Sequence, residues 1–122
     1  DTMISPNTMA TMVSNSCGSR PTVVVISACF SGVFVPDLEA PNRMILTAAR
    51  PDRTSFGCGQ ALRYTFFDEC FLQSMQNAHD FPAVAKEIKT CVAAREVKEK
   101  MSPPSEPQLY IGAQIAQNLP SW

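Results

Sequence analysis

The stretch Thr22-Val23-Val24-Val25-Ile26, running straight into Ser27-Ala28-Cys29-Phe30-Ser31-Gly32, decides how this chain is read. A continuous β-branched run with no polar alternation reads as a strand buried on both faces, at the centre of a parallel sheet. Small residues and a glycine then take over, so the chain leaves the sheet at the carboxyl end of that strand. A second apolar run, Met44 to Ala49, follows after a gap long enough for the crossover that parallel neighbours require. Pro36 and Pro41 prevent one continuous helix from filling that gap. Arg50 to Gly59 is a polar loop that again departs from a strand's carboxyl end. In open α/β sheets this edge is where ligands bind.

Upstream of the strand, Ser5-Pro6 has the form of a helix start, a hydroxyl cap followed by proline at the first helical position. Met9, Met12 and Val13 recur at helical spacing, and Gly18 is a natural stop. Downstream, Thr65 with Asp68 forms a loose capping box, and Phe67, Cys70, Phe71, Ser74, Met75 and Ala78 make a helical stripe. Phe66, Phe67, Phe71 and Met75 are read as core. Asn77 to Pro82 breaks the helix, and Asp80 caps another in which Val84, Ala85, Ile88, Cys91 and Val92 face inward. Lys86, Lys89, Glu96 and Lys98 are expected to stay wet. Ser102 to Pro107 reads as a linker, and Gln108 to Ile111 as a short last strand at a sheet edge, because Pro107 disfavours a central position.

Composition narrows the function classes. The 122 residues carry 10 basic and 11 acidic side chains, a net charge of −1, with 45% hydrophobic and 17% charged residues, the profile of an ordinary globular domain. Basic residues interleaved with acidic ones argue against nucleic acid as a partner, since neutralising phosphates takes clustered Lys and Arg. The longest apolar run, Thr22 to Cys29, is too short to span a bilayer. Asp1 to Ala10 has neither a basic n-region nor an apolar h-region, and the compartment is left unassigned.

Five cysteines, at 17, 29, 58, 70 and 91, leave at least one thiol free. Their spacings lack the close pairs of a structural zinc site, and no metal is expected. Buried inert thiols are the default for each. Cys29 stands apart because it sits on a ligand-binding edge, where a thiol suits nucleophilic chemistry once a base or a positive environment raises its thiolate fraction. Arg50 and Arg53 have two readings: contacts to an acidic substrate group, or solvated loop arginines. His79, the single histidine, falls in the break between two helices and is read as a solvated turn residue.

Two motifs then point to a family. Ala28-Cys29-Phe30-Ser31-Gly32 after a Val-rich strand, and Thr47-Ala48-Ala49-Arg50-Pro51-Asp52-Arg53-Thr54-Ser55-Phe56-Gly57-Cys58 after the next, match in order and spacing the A-C-x-S-G and T-A-A-x-P-x-x-x-S-[FY]-x-C elements of the legumain (asparaginyl endopeptidase) family. The chain resembles the bacterial members of these cysteine peptidases over nearly its whole length from about Ser5, and Pro104 to Ile115 is similar to the family's carboxyl terminus. The layout is also similar to that of caspases.

The resemblance implies a fold: a caspase-like three-layer α/β sandwich with a mainly parallel central sheet. It implies an activity, cysteine-type endopeptidase, with Cys29 as nucleophile and its backbone N–H in the oxyanion hole. It implies that Ser27 and Ser55 line the primary specificity pocket, that the partner is a peptide or protein substrate, and that no cofactor is needed. The position of Ser27 holds glutamate in legumain and glutamine in caspases, so a preference for asparagine or aspartate does not carry over. The family's His-Gly motif, which lies before the cysteine strand, has no counterpart upstream of Cys29. Residues 1–122 are therefore expected to be the carboxyl-terminal part of the domain. The strand Thr22 to Ile26 then lacks a neighbour on one side, and a homodimer contact or the missing amino-terminal half is expected there. A non-catalytic caspase-like scaffold and a thiol redox sensor are the alternatives to a peptidase.

Overall fold

The computed structural model describes residues 4–57 and 64–122. Cys58, read from sequence as a structural thiol, lies outside these. Helix α1 spans Pro6–Cys17, strand β1 Thr22–Ile26, helix α2 Val35–Leu38, strand β2 Arg43–Thr47, helix α3 Phe66–Asn77, helix α4 Phe81–Lys98 and strand β3 Gln108–Ile111, with 3₁₀ turns at Ser31–Phe34 and Ile115–Gln117. The helix starts follow their caps. The Ser5 side chain accepts from the Thr8 N–H, Thr65 from the Asp68 N–H and Asp80 from the Ala83 N–H, each satisfying one of the amides a helix start leaves open. Gly18, at φ +59°, closes α1 by donating its N–H to the Ser14 carbonyl. Among the described residues no helix is long and apolar enough to cross a membrane.

The sheet has the order β1-β2-β3, with β1 parallel to β2 and β3 antiparallel to it. This corrects two expectations: the sheet is mixed, and β2 rather than β1 is its centre. All five residues of β2 are buried, whereas β1 is only partly covered and Val25 is 37% exposed. The β-branched run of β1 showed that both its faces are apolar, but a hydrophobic pattern does not count hydrogen-bonded neighbours. Along β2 the side chains alternate between two helical layers. Met44 and Leu46 join Phe67, Cys70, Val84, Ile88 and Val92 in the core beneath α3 and α4. On the other face Arg43, nearly buried, donates to the Leu38 carbonyl at the end of α2 and to the Ser14 hydroxyl of α1. No residue of α1 is fully buried.

Two further readings are corrected. Cys70 and Cys91 are not inert thiols: they form a disulfide across the antiparallel pair α3 and α4, with Cα atoms 5.8 Å apart, while Cys17 and Cys29 are free. Their helical spacing placed both on inward faces, and facing positions on adjacent helices bring the sulfurs together. Glu96 is 3% exposed rather than wet. Its carboxylate accepts from both the backbone N–H (3.1 Å) and the hydroxyl (2.6 Å) of Ser105, fastening the segment after α4 to the helix.

Truncating Glu96 leaves two buried donors of Ser105 without a partner. Glu96→Ala is therefore expected to cost about 1–3 kcal/mol, read as a lower urea midpoint at unchanged m. Peptide mapping without reductant should recover Cys70 linked to Cys91 and Cys29 as a free thiol.

Candidate active site

Strands β1 and β2 run together to their ends, where the Ala48 N–H donates to the Ile26 carbonyl at 2.9 Å. Beyond that point their two loops stay locked to one another. Ser31 is fully buried and its hydroxyl oxygen accepts from the Ala49 N–H, while the Thr47 hydroxyl donates to the Ala49 carbonyl. Gly32 lies so close to the second loop that a Cβ there would stand 2.6 Å from the Pro51 Cδ and 2.9 Å from the Ala49 carbonyl oxygen. The serine and glycine of Ala28-Cys29-Phe30-Ser31-Gly32 thus have a physical role: they are the small and polar groups that let the loops touch.

This junction sets Cys29 against Ser55. The Cys29 Sγ is 3.4 Å from both the Ser55 carbonyl oxygen and the Ser55 backbone nitrogen, so the thiol donates to the first and accepts from the second. Next to it, the Phe30 N–H donates to the Arg53 carbonyl at 2.8 Å. Of the residues singled out from sequence, Cys29 and Ser55 are brought together, through the serine's backbone. Ser55 is buried, and Ser27 is exposed at the end of β1. On its other side the thiol opens onto a cavity of about 410 Å³ walled by Ile4, Pro6, Phe30, Val33 and Phe34, large enough for a ligand group.

Arg50 and Arg53 are partly solvated and both also have partners within the protein. Arg50 pairs with Glu106 at 2.8 Å and with Asp52 at 3.1 Å; Arg53 reaches Glu106 at 3.6 Å and donates to the Pro104 carbonyl at 2.8 Å. The hydrogen bond that Arg50 donates to Glu106, then the charge of Asp52, hold the Arg50 guanidinium more firmly protonated than usual. The network ties the Ser55 loop to the segment before β3. Sequence reading passed over Glu106 as part of a linker. The one available signal was an isolated carboxylate between two prolines, facing two arginines of a loop it could not be seen to meet.

His79 is remote from this site. The start of α3 is fixed to the second loop by the bond from the Phe66 N–H to the Phe56 carbonyl. From there the 12 residues of α3 rise about 18 Å to its far end. His79 is exposed in the turn beyond that end. Among the described residues no group of three His, Cys, Asp or Glu could hold a metal ion.

A family model described as the Peptidase C13 family matches residues 4–118. No curated protein and no solved structure matches the chain.

Two substitutions separate stability from positioning. Gly32→Ala must push the loops apart and is expected to cost about 1–3 kcal/mol in a urea melt. Glu106→Ala should move the melt by less than about 1 kcal/mol, because the carboxylate itself is half exposed. By loosening the loop that lies against Cys29, it should nonetheless change the rate of Cys29 alkylation by iodoacetamide at a fixed pH.

Proposed function

Because the chain belongs to the Peptidase C13 family, the legumain-like cysteine peptidases, we propose that it is the nucleophile-bearing part of a cysteine-type endopeptidase in which Cys29 attacks the peptide bond. One observation carries this reading: the free Cys29 thiol stands on the ligand-binding edge of the sheet, 3.4 Å from an N–H donor of the neighbouring loop. The thiolate adds to the scissile carbonyl carbon, and the oxyanion that forms is stabilised by the Cys29 backbone N–H. Collapse of the adduct breaks the C–N bond. The amine leaves with a proton from the general acid, and a thioester to Cys29 remains. Water activated by the same group then hydrolyses the thioester, releasing the acid product and the thiolate. Ser27 and Ser55 are assigned to the primary specificity pocket by their positions in the two motifs.

The proton-transferring group is a histidine expected in polypeptide preceding Asp1. Supporting this, Ile4 and Pro6 border the cavity beside the thiol, so a segment entering α1 passes close to Cys29. In this reading residues 1–122 form the carboxyl-terminal part of a caspase-like sandwich, its sheet continuing from the uncovered edge of β1 through the amino-terminal half or a second copy. The helices flanking both faces of β2 support the layered arrangement.

A second reading has one observation in its favour. The only histidine of the chain lies a helix length from Cys29, which suits a caspase-like scaffold that keeps the fold without the dyad.

A peptidyl acyloxymethyl ketone, applied to the chain with and without the coding sequence upstream of Asp1, distinguishes the two. Labelling of Cys29 only in the longer protein, with Cys29→Ala lowering peptide hydrolysis by about three orders of magnitude or more, is the result expected of the peptidase. A longer protein without a His-Gly element and without labelling at Cys29 would establish the scaffold.

A further inference from the structure

The thiol of Cys29 separates two unlike surroundings. Towards Ser55 it meets backbone N–H and carbonyl groups. Away from Ser55 it forms part of the wall of the 410 Å³ cavity, which it lines with Ile4, Ser5, Pro6, Phe30, Val33 and Phe34, no charged side chain among these described residues. Phe30 is 50% exposed and Val33 40% exposed. Scattered apolar residues on a surface need no explanation, but these converge on a single concavity that also holds the reacting sulfur.

The backbone adds an independent observation. Phe30 has φ +59°, a left-handed conformation that is rare for an aromatic residue. It is held there from both sides: its N–H donates to the Arg53 carbonyl at 2.8 Å, and its carbonyl accepts from the Val33 N–H at 3.1 Å. The conformation turns an aromatic ring toward solvent immediately after the nucleophile, although burial would be the more favourable fate of such a side chain. Disfavoured backbone that the surrounding contacts hold in place concentrates at functional sites.

We infer that this cavity is a subsite for an apolar side chain of the peptide substrate, next to the bond that Cys29 attacks, and that Phe30 and Val33 determine specificity there. The inference rests on the peptidase reading above, since it is that reading which makes the occupant a peptide. The cavity offers an apolar side chain a mostly apolar wall, and its described lining offers a charged one no opposite charge for the hydration it would lose. Discrimination on this ground belongs to binding next to the reacting carbon, so it appears in kcat/KM between peptides that differ at one flanking residue.

The test compares two electrophiles of equal chemistry and unequal shape. Alkylation of Cys29 by iodoacetamide and by N-benzyl iodoacetamide is followed by peptide-mapping mass spectrometry, with the free thiol of Cys17 as reference in the same molecule, in this chain and in the protein extended upstream of Asp1. The benzyl reagent is expected to favour Cys29 over Cys17 by about tenfold, the discrimination a small apolar pocket gives. Phe30→Ala and Val33→Ser, both at exposed positions, should each reduce that preference, read as the ratio of the benzyl to the unsubstituted reagent at Cys29. In the extended protein, hydrolysis of peptides varied one residue at a time around the scissile bond should show an apolar preference at one flanking position, reduced by the same two substitutions. Absence of a benzyl preference, its survival in both variants, or its loss once the upstream segment is present would overturn the inference. A benzyl preference that holds in the extended protein while no peptide is hydrolysed would remove the peptide as occupant, overturning the peptidase reading and this inference together.

Discussion

Five consecutive residues that see almost no solvent, Arg43 to Thr47, hold this molecule together. Strand β2 takes β1 on one edge and β3 on the other, and its two faces supply the core beneath α3 and α4 and the anchor for α1 and α2. Every other element meets water on at least one side. A side chain lost from β2 therefore leaves a hole in the buried layer it faces, whereas the same loss from β1 meets a surface that is already partly open to solvent. The polar member of the strand fits the same logic. Arg43 is tolerated next to the core because its guanidinium finds a carbonyl and a hydroxyl in the layer it faces, so its charge is solvated by protein dipoles.

The chemistry follows from where β1 and β2 stop. Parallel strands bring their carboxyl ends to the same edge, and a serine and a glycine let the two outgoing loops lie against each other. Cys29 is thereby placed against the Ser55 backbone by contacts that involve neither residue's side-chain chemistry beyond the sulfur itself. Farther out, Glu106 fastens the returning segment to the second of these loops, and the Glu96–Ser105 bonds fasten it to α4. The site is positioned by backbone bonds within, and by charge pairs at its rim. The rim is the part that salt can weaken, because its carboxylates and guanidiniums are partly solvated.

Local structure was legible in the sequence wherever a residue acts on its own neighbours. Ser5, Thr65 and Asp80 cap the helices they precede, Gly18 ends α1, and the run Thr22 to Ile26 is a strand from its first residue to its last. What stayed hidden involves pairs distant in the chain. The place of β1 in the sheet depends on which strands pair, which a single strand's pattern does not carry. The burial of Glu96 depends on Ser105 returning to meet it, and the Cys70–Cys91 bridge on two helices lying antiparallel in one register. At the site, Cys29 was legible from its place after a strand and from a motif. Phe30 was not, because its importance lies in a backbone angle and an exposure that only the folded chain has.

Helix α1 contributes Ile4 and Pro6 from its approach and first turn to the cavity beside the thiol, yet buries no side chain completely. Besides the cap at each end, it is held by bonds from Arg43 to the Ser14 hydroxyl and from Arg20 to the Ser16 and Cys17 carbonyls. An element with so little buried apolar contact opens at lower free energy than the strands and helices of the core, and its amides exchange with solvent earlier. The cavity therefore has walls of unequal stiffness. The side formed by Phe30 and Val33 is held by the loop junction, while the side carried on α1 has no fully buried side chain to anchor it.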